Sequence, residues 1–310
     1  MKKVLILGGN GYIGSRLRQV LRESHFVKSN DICWFAYDET SDRRDYHKLT
    51  REELAEFEVV VVLAGHSSVP SCNGALPGPW LNNVTNFTNL LDKLTIDQLV
   101  IYASSASVYG NSAPGERHKE TNKIFVPVNN YDVTKYALDQ QATIANLVGK
   151  KVIGLRFGTV NGYSPNLRVD VMINSMYHSV QNGTGIQVFN RQISRAMLGI
   201  EDLCRAVLRC IERPVPGIYN LSSFNSTVGE IAQAVKTKLG VDIVDKGVTA
   251  NAYDFALDTT LFKQTFDFTF QETTATIVDS LIESYEQATP QWRDKYVIYN
   301  REPENAYQRR

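Results

Sequence analysis

Val4-Leu5-Ile6-Leu7-Gly8-Gly9-Asn10-Gly11-Tyr12-Ile13-Gly14 decides the fold. Four apolar residues in a row read as a buried strand, and a helical pattern over residues 15–22 follows the glycines directly. Three of the glycines have separate uses. Gly8 lets the chain turn tightly, Gly11 lets backbone approach a bound group, and Gly14 lets the helix pack against the strand. The free N–H groups at the start of such a helix lie at the positive end of its dipole, where a diphosphate is stabilised. Glycine clusters alone serve any turn; the strand–turn–helix setting is what points to a dinucleotide site.

Outward from this motif, short β-branched runs alternate with helical stretches. Residues 32–37 read as the second strand and 59–63 as the third, with later strands at 99–103 and 152–156. Helical segments are expected near 51–56, 84–94 and 131–147. Continuous apolar strands alternating with helices mean a parallel sheet covered on both faces, a doubly wound α/β fold. After Tyr163 the pattern changes to a helix at 170–180, short strands near 186–189, 196–198 and 218–221, and helices near 201–211, 228–239 and 274–287. The expected organisation is a Rossmann-type domain over residues 1–164 and a smaller α+β lobe over 165–310, with some later elements returning to the first. Residues 290–310 are polar with scattered aromatics, a strap or a frayed tail.

Dinucleotide sites place an acid about 20 residues after the glycines, at the end of the second strand, where it accepts from the adenosine ribose. Asp38 follows the run 32–37 and fills that place. Its charge repels a 2′-phosphate and favours NAD over NADP, whereas Arg43 and Arg44 stand near enough in sequence to pair with that phosphate. Asp45-Tyr46 then falls near the adenine.

Tyr131-Asp132-Val133-Thr134-Lys135 places a phenol and an ammonium one helical turn apart on one face. A neighbouring ammonium favours phenolate and lowers a pKa that is ordinarily near 10, which yields a general base. Tyr-x-x-x-Lys is common by chance. Its company here is Ser104-Ser105-Ala106-Ser107-Val108-Tyr109-Gly110, directly after an expected strand. In a parallel sheet the carboxyl ends of neighbouring strands share one crevice, so Ser105 can donate to the oxygen that Tyr131 deprotonates.

With these motifs the chain resembles an extended short-chain dehydrogenase/reductase of the NAD-dependent epimerase/dehydratase family, from Met1 to about Ser284. Further matching segments are Val59-Val60-Val61-Val62-Leu63-Ala64, Asn83-Val84-Thr85-Asn86-Phe87-Thr88-Asn89-Leu90-Leu91, Leu155-Arg156-Phe157, Arg168-Val169-Asp170 with Asn174, and Arg195 before Glu201-Asp202-Leu203. The resemblance implies a catalytic trio of Ser105, Tyr131 and Lys135. It implies cofactor contacts from Gly8, Gly11, Tyr12, Ile13, Gly14, Asp38, Asp45, Leu63, Ala64 and Asn83 as well as Tyr131 and Lys135. Ser105, Asn174 and Arg195 are implied as contacts to a nucleotide-sugar substrate, and NAD as the cofactor. Related dehydratases carry an Asp-Glu pair just after the serine position. Here Ala106-Ser107 stands instead, neither able to ionise, so the expected activity is epimerisation of a nucleotide sugar, with keto-sugar reduction as the alternative. A dehydratase and a catalytically silent NAD-binding protein rank below these.

Composition sets the outer limits. The chain has 310 residues, 33 basic and 33 acidic, with no net charge, which argues against a nucleic-acid partner. Four scattered cysteines suit small buried hydrophobes in a reduced compartment better than disulfides, and the histidines show no ligand spacing, so no metal is expected. The amino-terminal apolar run is too short for a signal peptide, and no stretch is long enough for a membrane span. The expectation is a cytoplasmic homodimer, paired by the helices near 84–94 and 131–147 as the resemblance implies.

Overall fold

The structure is a computed structural model that describes residues 1–30, 41–42, 44–72, 77–113, 115–124, 127, 129–249 and 252–287. Its strands are β1 (Lys3–Leu7), β2 (Phe26–Asn30), β3 (Ser41–Asp42), β4 (Val59–Val62), β5 (Leu99–Ser105), β6 (Lys151–Phe157), β7 (Thr159–Asn161), β8 (Ile186–Val188), β9 (Ser194–Gly199), β10 (Gly217–Leu221), β11 (Phe224–Thr227) and β12 (Ile243–Asp245). The helices are α1 (Tyr12–Arg22), α2 (Arg51–Leu54), α3 (Val69–Cys72), α4 (Pro77–Trp80), α5 (Asn86–Lys93) and α6 (Asn130–Leu147). They continue with α7 (Met172–Gln181), α8 (Ile200–Glu212), α9 (Val228–Leu239), α10 (Thr260–Phe266) and α11 (Thr274–Gln287).

Seven parallel strands form the main sheet in the order β10-β6-β5-β4-β1-β2-β3. From β1 the chain builds outward through β2 and β3 on one side, then returns and builds through β4, β5 and β6 on the other. That reversal opens a crevice beyond the carboxyl ends of β1 and β4. The expected doubly wound fold is the observed one. Alternate residues of each strand feed opposite faces. Val4, Ile6, Val59 and Val61 pack with α1 and α8, whereas Leu5, Leu7, Val60 and Val62 pack with α5 and α6.

The strand beside β1 is Phe26–Asn30, in register from Lys3 opposite Phe26; the run 32–37, read as the second strand, lies outside the described residues. Residues 31–40, and with them Asp38, lie outside the described residues. β2 escaped the pattern because Phe26 and Lys28 face solvent between buried neighbours, so it lacks a continuous apolar run. β7, β11 and β12 were also unforeseen. They are three or four residues long, too short for a period to show.

In the second half, α7, α9 and α11 enclose a separate core with the β8–β12 pair, built on Ile173, Ile186, Val188, Ile231 and Ile277. Residues 200–221 return to the first: α8 packs on α1, and β10 extends the main sheet beside β6. Beneath the crevice runs a buried polar chain. Tyr102 OH donates to Asp139 Oδ1 at 2.7 Å, and Arg156 Nε donates to Asp139 Oδ2 at 2.8 Å. Arg156 NH1 then reaches Tyr109 OH at 2.6 Å, which donates to Asn220 Oδ1 at 2.8 Å. Gly154 stands opposite Tyr102 in the ladder, and a Cβ there would lie 2.3 Å from the Tyr102 hydroxyl, so glycine makes room for this chain.

Candidate active site

On the β1 side of the crevice, Gly8 has φ +83°, and a Cβ would lie 2.6 Å from the Ala64 nitrogen. Glycine is required there on both counts. A Cβ on Gly14 would lie 2.1 Å from the Gly8 carbonyl oxygen, so Gly14 brings α1 against the turn itself and not against the strand, as the motif suggested. Gly9, which the motif reading passed over, sits equally close to β2, with a Cβ 2.4 Å from that of Ser29. Gly11 is different. A Cβ would meet only the Gly8 carbonyl, at 3.4 Å, and Gly11 caps α1 without a side-chain bond. An open glycine surface at the amino end of an eleven-residue helix fits a dinucleotide diphosphate.

Ile13 lies in the first turn of α1 and packs partly buried against the α1–α8 side of the core. The Tyr12 phenol is buried, donates to Gly162 O at 2.8 Å and accepts from Asn174 Nδ2 at 3.2 Å. Burial drives its pKa well above the ordinary range. Asn174, expected at the substrate, is 1 % exposed and engaged with the chain on both sides. Its Oδ1 accepts from Gly162 N at 2.9 Å, while its Nδ2 donates to Arg168 O at 2.8 Å. It therefore locks the 162–168 segment onto the glycine-rich helix. Ser164, whose hydroxyl lies 2.8 Å from that of Ser15, fastens the same joint.

At the end of β4, Leu63 N and Ala64 N both donate to Leu7 O, at 2.8 and 2.9 Å. Asn83 is buried and ties three pieces together. It accepts from His66 N at 2.8 Å and donates to His66 O and to Thr134 Oγ1, both at 3.1 Å. Asp45 accepts from His47 N and pairs with the His47 imidazole at 3.0 Å. Arg44, the phosphate-pairing alternative, already binds Asp42 at 2.6 Å and Glu53 at 2.7 Å; Asp38 and Arg43 lie outside the described residues.

The proposed trio converges at the carboxyl end of β5. Ser105 ends the strand, Tyr131 lies in the first turn of α6, and Lys135 lies one turn further. Asn129 starts that helix by accepting from Asp132 N at 3.0 Å. Lys135 Nζ donates to Ala103 O at 2.8 Å and stands 5.7 Å from the centre of the Tyr131 ring. Burial pulls the Lys135 pKa down to about 8. Burial also pushes the Tyr131 phenol up to about 12, against the Ser105 hydroxyl and the Arg168 guanidinium, which both favour phenolate. Lys135, one turn away, was expected to lower that phenol; in the structure desolvation prevails, and Arg168 is the cation that acts on it. Arg168, held bidentate by Asp170 at 2.7 and 2.9 Å, is a site residue that the sequence argument left out.

A carboxyl group also reaches this corner, although Ala106-Ser107 supplies none. Ser105 Oγ lies 2.8 Å from Ser107 Oγ, and Ser107 Oγ donates to Asp132 Oδ1 at 2.6 Å. The second Asp132 oxygen accepts from Tyr253 OH at 2.7 Å and from Asn129 Nδ2 at 2.8 Å. On the far wall, Arg195 NH1 donates to Tyr253 O at 3.1 Å with the guanidinium 5.7 Å above the Phe255 ring. Its Nε is buried without a partner among the described residues, and desolvation lowers its pKa.

The model of the NAD dependent epimerase/dehydratase family matches residues 4–222. The chain belongs to that family. NAD is accordingly the family's cofactor, and the glycine turn fits it. Among similar proteins, CapI of Staphylococcus aureus is 28% identical over 285 residues, covering 77% of this chain and 84% of CapI. The ADP-L-glycero-D-manno-heptose-6-epimerase of Brachyspira hyodysenteriae is 25% identical, covering 75% and 80%. The structure of UDP-glucuronic acid 4-epimerase from Bacillus cereus, solved with UDP-glucuronic acid and NAD, superposes with a TM-score of 0.80 at 18% identity over 92% of this chain and 99% of that one. The NDP-hexosamine 5,6-dehydratase TunA superposes at 0.82 with 21% identity, over 93% and 99%. These structures share the fold with the chain. No helix among the described residues is long and apolar enough to cross a membrane.

Proposed function

We propose that the protein is an NAD-dependent epimerase of a nucleotide sugar. The observation that carries the reading is the convergence of Ser105, Tyr131 and Lys135 beside the glycine turn, at the switch point of the sheet. NAD, when bound, supplies a reversible hydride acceptor. Tyr131 takes the proton of one ring hydroxyl as that carbon is oxidised and returns it when the carbon is reduced from the other face. Lys135 and Arg168 supply positive charge near the phenol, and Ser105 holds its oxygen. Residues 1–164 are assigned the cofactor and residues 165–310 the sugar nucleotide, with Arg195 and its free Nε toward the diphosphate. We read the assembly as a cytoplasmic homodimer paired through α5 and α6, where Ile144 and Leu147 are exposed.

Epimerisation returns the cofactor to its starting state in each cycle, whereas a reductase consumes reduced cofactor one for one. The test incubates the protein with NAD and a panel of UDP-, ADP-, dTDP-, GDP- and CDP-sugars without reductant, following the sugar by NMR and the reduced nicotinamide by absorbance. Inversion at one carbon with no net absorbance change is expected. Consumption of reduced cofactor by a keto sugar, with no epimer formed, replaces this reading with the reductase. Tyr131→Phe is expected to lower the rate by about 10²–10⁴-fold while NAD still binds.

A further inference from the structure

The first turn of α6 is capped without help from the second lobe. Asn129 Oδ1 accepts from Asp132 N at 3.0 Å, which is all that a helix cap requires. The fold adds a second tie to the same turn. Tyr253, in the segment that follows β12, donates its hydroxyl to Asp132 Oδ2 at 2.7 Å and accepts from Asn129 Nδ2. Asn129 Nδ2 also donates to Asp132 Oδ2 at 2.8 Å, and Ser107 Oγ donates to Asp132 Oδ1 at 2.6 Å. The carboxylate, which only accepts, is the centre of this junction. The phenol is the member that comes from the second lobe, 121 residues away in sequence.

The other end of Tyr253 leads to Arg195. Arg195 NH1 donates to Tyr253 O at 3.1 Å, and Phe255, the ring beneath the guanidinium, stands edge-on to Tyr253 with ring centres 6.2 Å apart. The backbone around Tyr253 is fixed to its neighbours. Ser194 N donates to Asp254 Oδ1 at 2.8 Å, Phe255 N to Ser194 O at 3.0 Å, and Ser112 N to Asp254 O at 2.7 Å. A close-packed segment held at this many points transmits a displacement instead of absorbing it. Arg195 Nε, buried and without a partner among the described residues, is the open end of the path. A desolvated donor without an acceptor is costly, and an anion is the acceptor that suits a guanidinium.

We propose that Tyr253 is a positioning residue that couples an anion on Arg195 to the first turn of α6, so that the diphosphate of the sugar nucleotide sets Tyr131 against the sugar. The proposal rests on the reading of Tyr131 as the base and of Arg195 as the diphosphate contact. Tyr131 stands between Asn129 and Asp132 in sequence, so a shift of this junction moves the backbone that carries the phenol. Contacts to a part of the substrate that does not react are thereby realised in the placement of the groups that do, which raises kcat and not affinity. The path is one contiguous set of hydrogen bonds, Arg195 to Tyr253 and Tyr253 to Asp132 and Asn129, and what it carries is a coupling free energy between two places in one site.

The experiment measures kcat and KM of the chain and of Tyr253→Phe on two substrates: the sugar nucleotide that the panel identifies, and the same sugar as its 1-phosphate, which lacks the diphosphate. On the sugar nucleotide, Tyr253→Phe is expected to lower kcat about tenfold with KM little changed. On the 1-phosphate the two chains are expected to be equally slow, because the path then starts from an empty Arg195. A loss that is equal on both substrates makes Tyr253 a support of α6 alone and overturns the coupling, as does a rise in KM at unchanged kcat. A second measurement needs no turnover. The ring resonance of Tyr131 in ¹³C-tyrosine-labelled protein with NAD, assigned by its absence in Tyr131→Phe, is followed while inorganic pyrophosphate is added. It is expected to move as the anion binds to the chain and to stay in place in Tyr253→Phe at the same saturation, read by calorimetry. Equal shifts in the two, or no shift in the chain at saturation, overturn the coupling. Pyrophosphate that fails to bind, or that binds Arg195→Gln as tightly as the chain, removes Arg195 from the diphosphate site. Tyr131→Phe turning over at the rate of the chain removes the base. In either of these cases the reading of the site falls, and the coupling with it, without Tyr253 being touched.

Discussion

Two aspartates on α6, Asp132 and Asp139, lie about two helical turns apart and are both wholly buried. Their partners separate them. Asp139 receives the Arg156 guanidinium at 2.8 Å and one tyrosine hydroxyl at 2.7 Å. Asp132 receives a serine hydroxyl, a tyrosine hydroxyl and an amide, all neutral. Removing either partner of a buried carboxylate–guanidinium pair leaves the other charge alone in low dielectric. A buried carboxylate among neutral donors keeps or loses its charge according to pH and its neighbours. The same residue type on one helix thus serves as half of a buried ion pair in the frame and as a carboxyl held only by neutral donors at the site.

The largest effect is expected at the ion pair. Asp139→Ala strands the Arg156 charge, which is 4 % exposed as a residue and lies 4.8 Å above the Tyr109 ring. Removing one partner of such a pair costs about 3–5 kcal/mol. Urea unfolding reads it directly. Adding Arg156→Met to Asp139→Ala is expected to recover part of the loss, since no unpaired charge then remains. A loss under about 1 kcal/mol in the single variant would place Asp139 among the ordinary hydrogen-bonded groups and erase the contrast with Asp132.

Lys135 stands between the two aspartates on the helix and bonds neither, giving its proton to Ala103 O. Its pKa is about 8 in the folded chain, against an ordinary 10.5. Between those values the unfolded chain holds more protons than the folded one, so stability rises with pH, by about 1.4 kcal/mol per pH unit at most. Lys135→Met lacks this rise. Unfolding midpoints of both chains at pH 7.5 and 9.5 check it. Parallel midpoints at the two pH values would show that Lys135 keeps its full charge, held by Asp139 in the manner of Arg156.

The sign at Asp132 is the opposite one. Its folded pKa is raised above the unfolded value of 3.8. Below 3.8 the carboxyl is protonated in both states, and as pH climbs toward the folded value the unfolded chain ionises first and stability falls. The chain is therefore expected to gain on Asp132→Asn when the pH drops from 7 to 4, in urea titrations at both. A gain in the other direction would mean that Asp132 behaves like a paired carboxylate.

How far these roles could be read in the sequence follows from their range. The glycine turn, the parallel sheet and the Tyr131–Lys135 pair are local in pattern, and all were legible. β2 was not foreseen because a strand with Lys28 in its middle lacks the apolar run of its buried neighbours. Counted from Gly11, Asp31 lies closer than Asp38 to the ~20-residue spacing of a ribose acid. Titration of NAD into Asp31→Ala and Asp38→Ala distinguishes the two. Nothing local shows that the Asn174 amide, read as a substrate contact, also bonds Gly162 and Arg168. Asp132 stood in plain sight inside the Tyr-x-x-x-Lys motif. The signal it showed, an acid three residues after Asn129, is that of a helix cap. Its other partners, Ser107 and Tyr253, come from 25 and 121 residues away, and only the fold assembles them.

The finest test of the contrast removes one tyrosine hydroxyl from each aspartate. Tyr102→Phe takes a donor from Asp139, and Tyr253→Phe takes one from Asp132. A single buried hydrogen bond contributes about 0.5–1.5 kcal/mol, somewhat more toward a charged acceptor, so the two variants are expected to lose similar, small amounts of stability in urea. They differ in what the remaining partners allow. Asp139 still has the Arg156 guanidinium, and the pH profile of turnover in Tyr102→Phe is expected to overlay that of the chain. Asp132 keeps only Ser107 and Asn129. Its ionised form loses a donor that now stabilises it, so its midpoint rises and the acid limb of the kcat profile moves to higher pH. The shift is expected in kcat and in the Asp132 carboxyl titration together, with KM little changed. If Tyr102→Phe moves the acid limb as far as Tyr253→Phe does, the two aspartates act in one network and the contrast between the ion-paired and the neutrally bonded carboxyl of α6 is wrong.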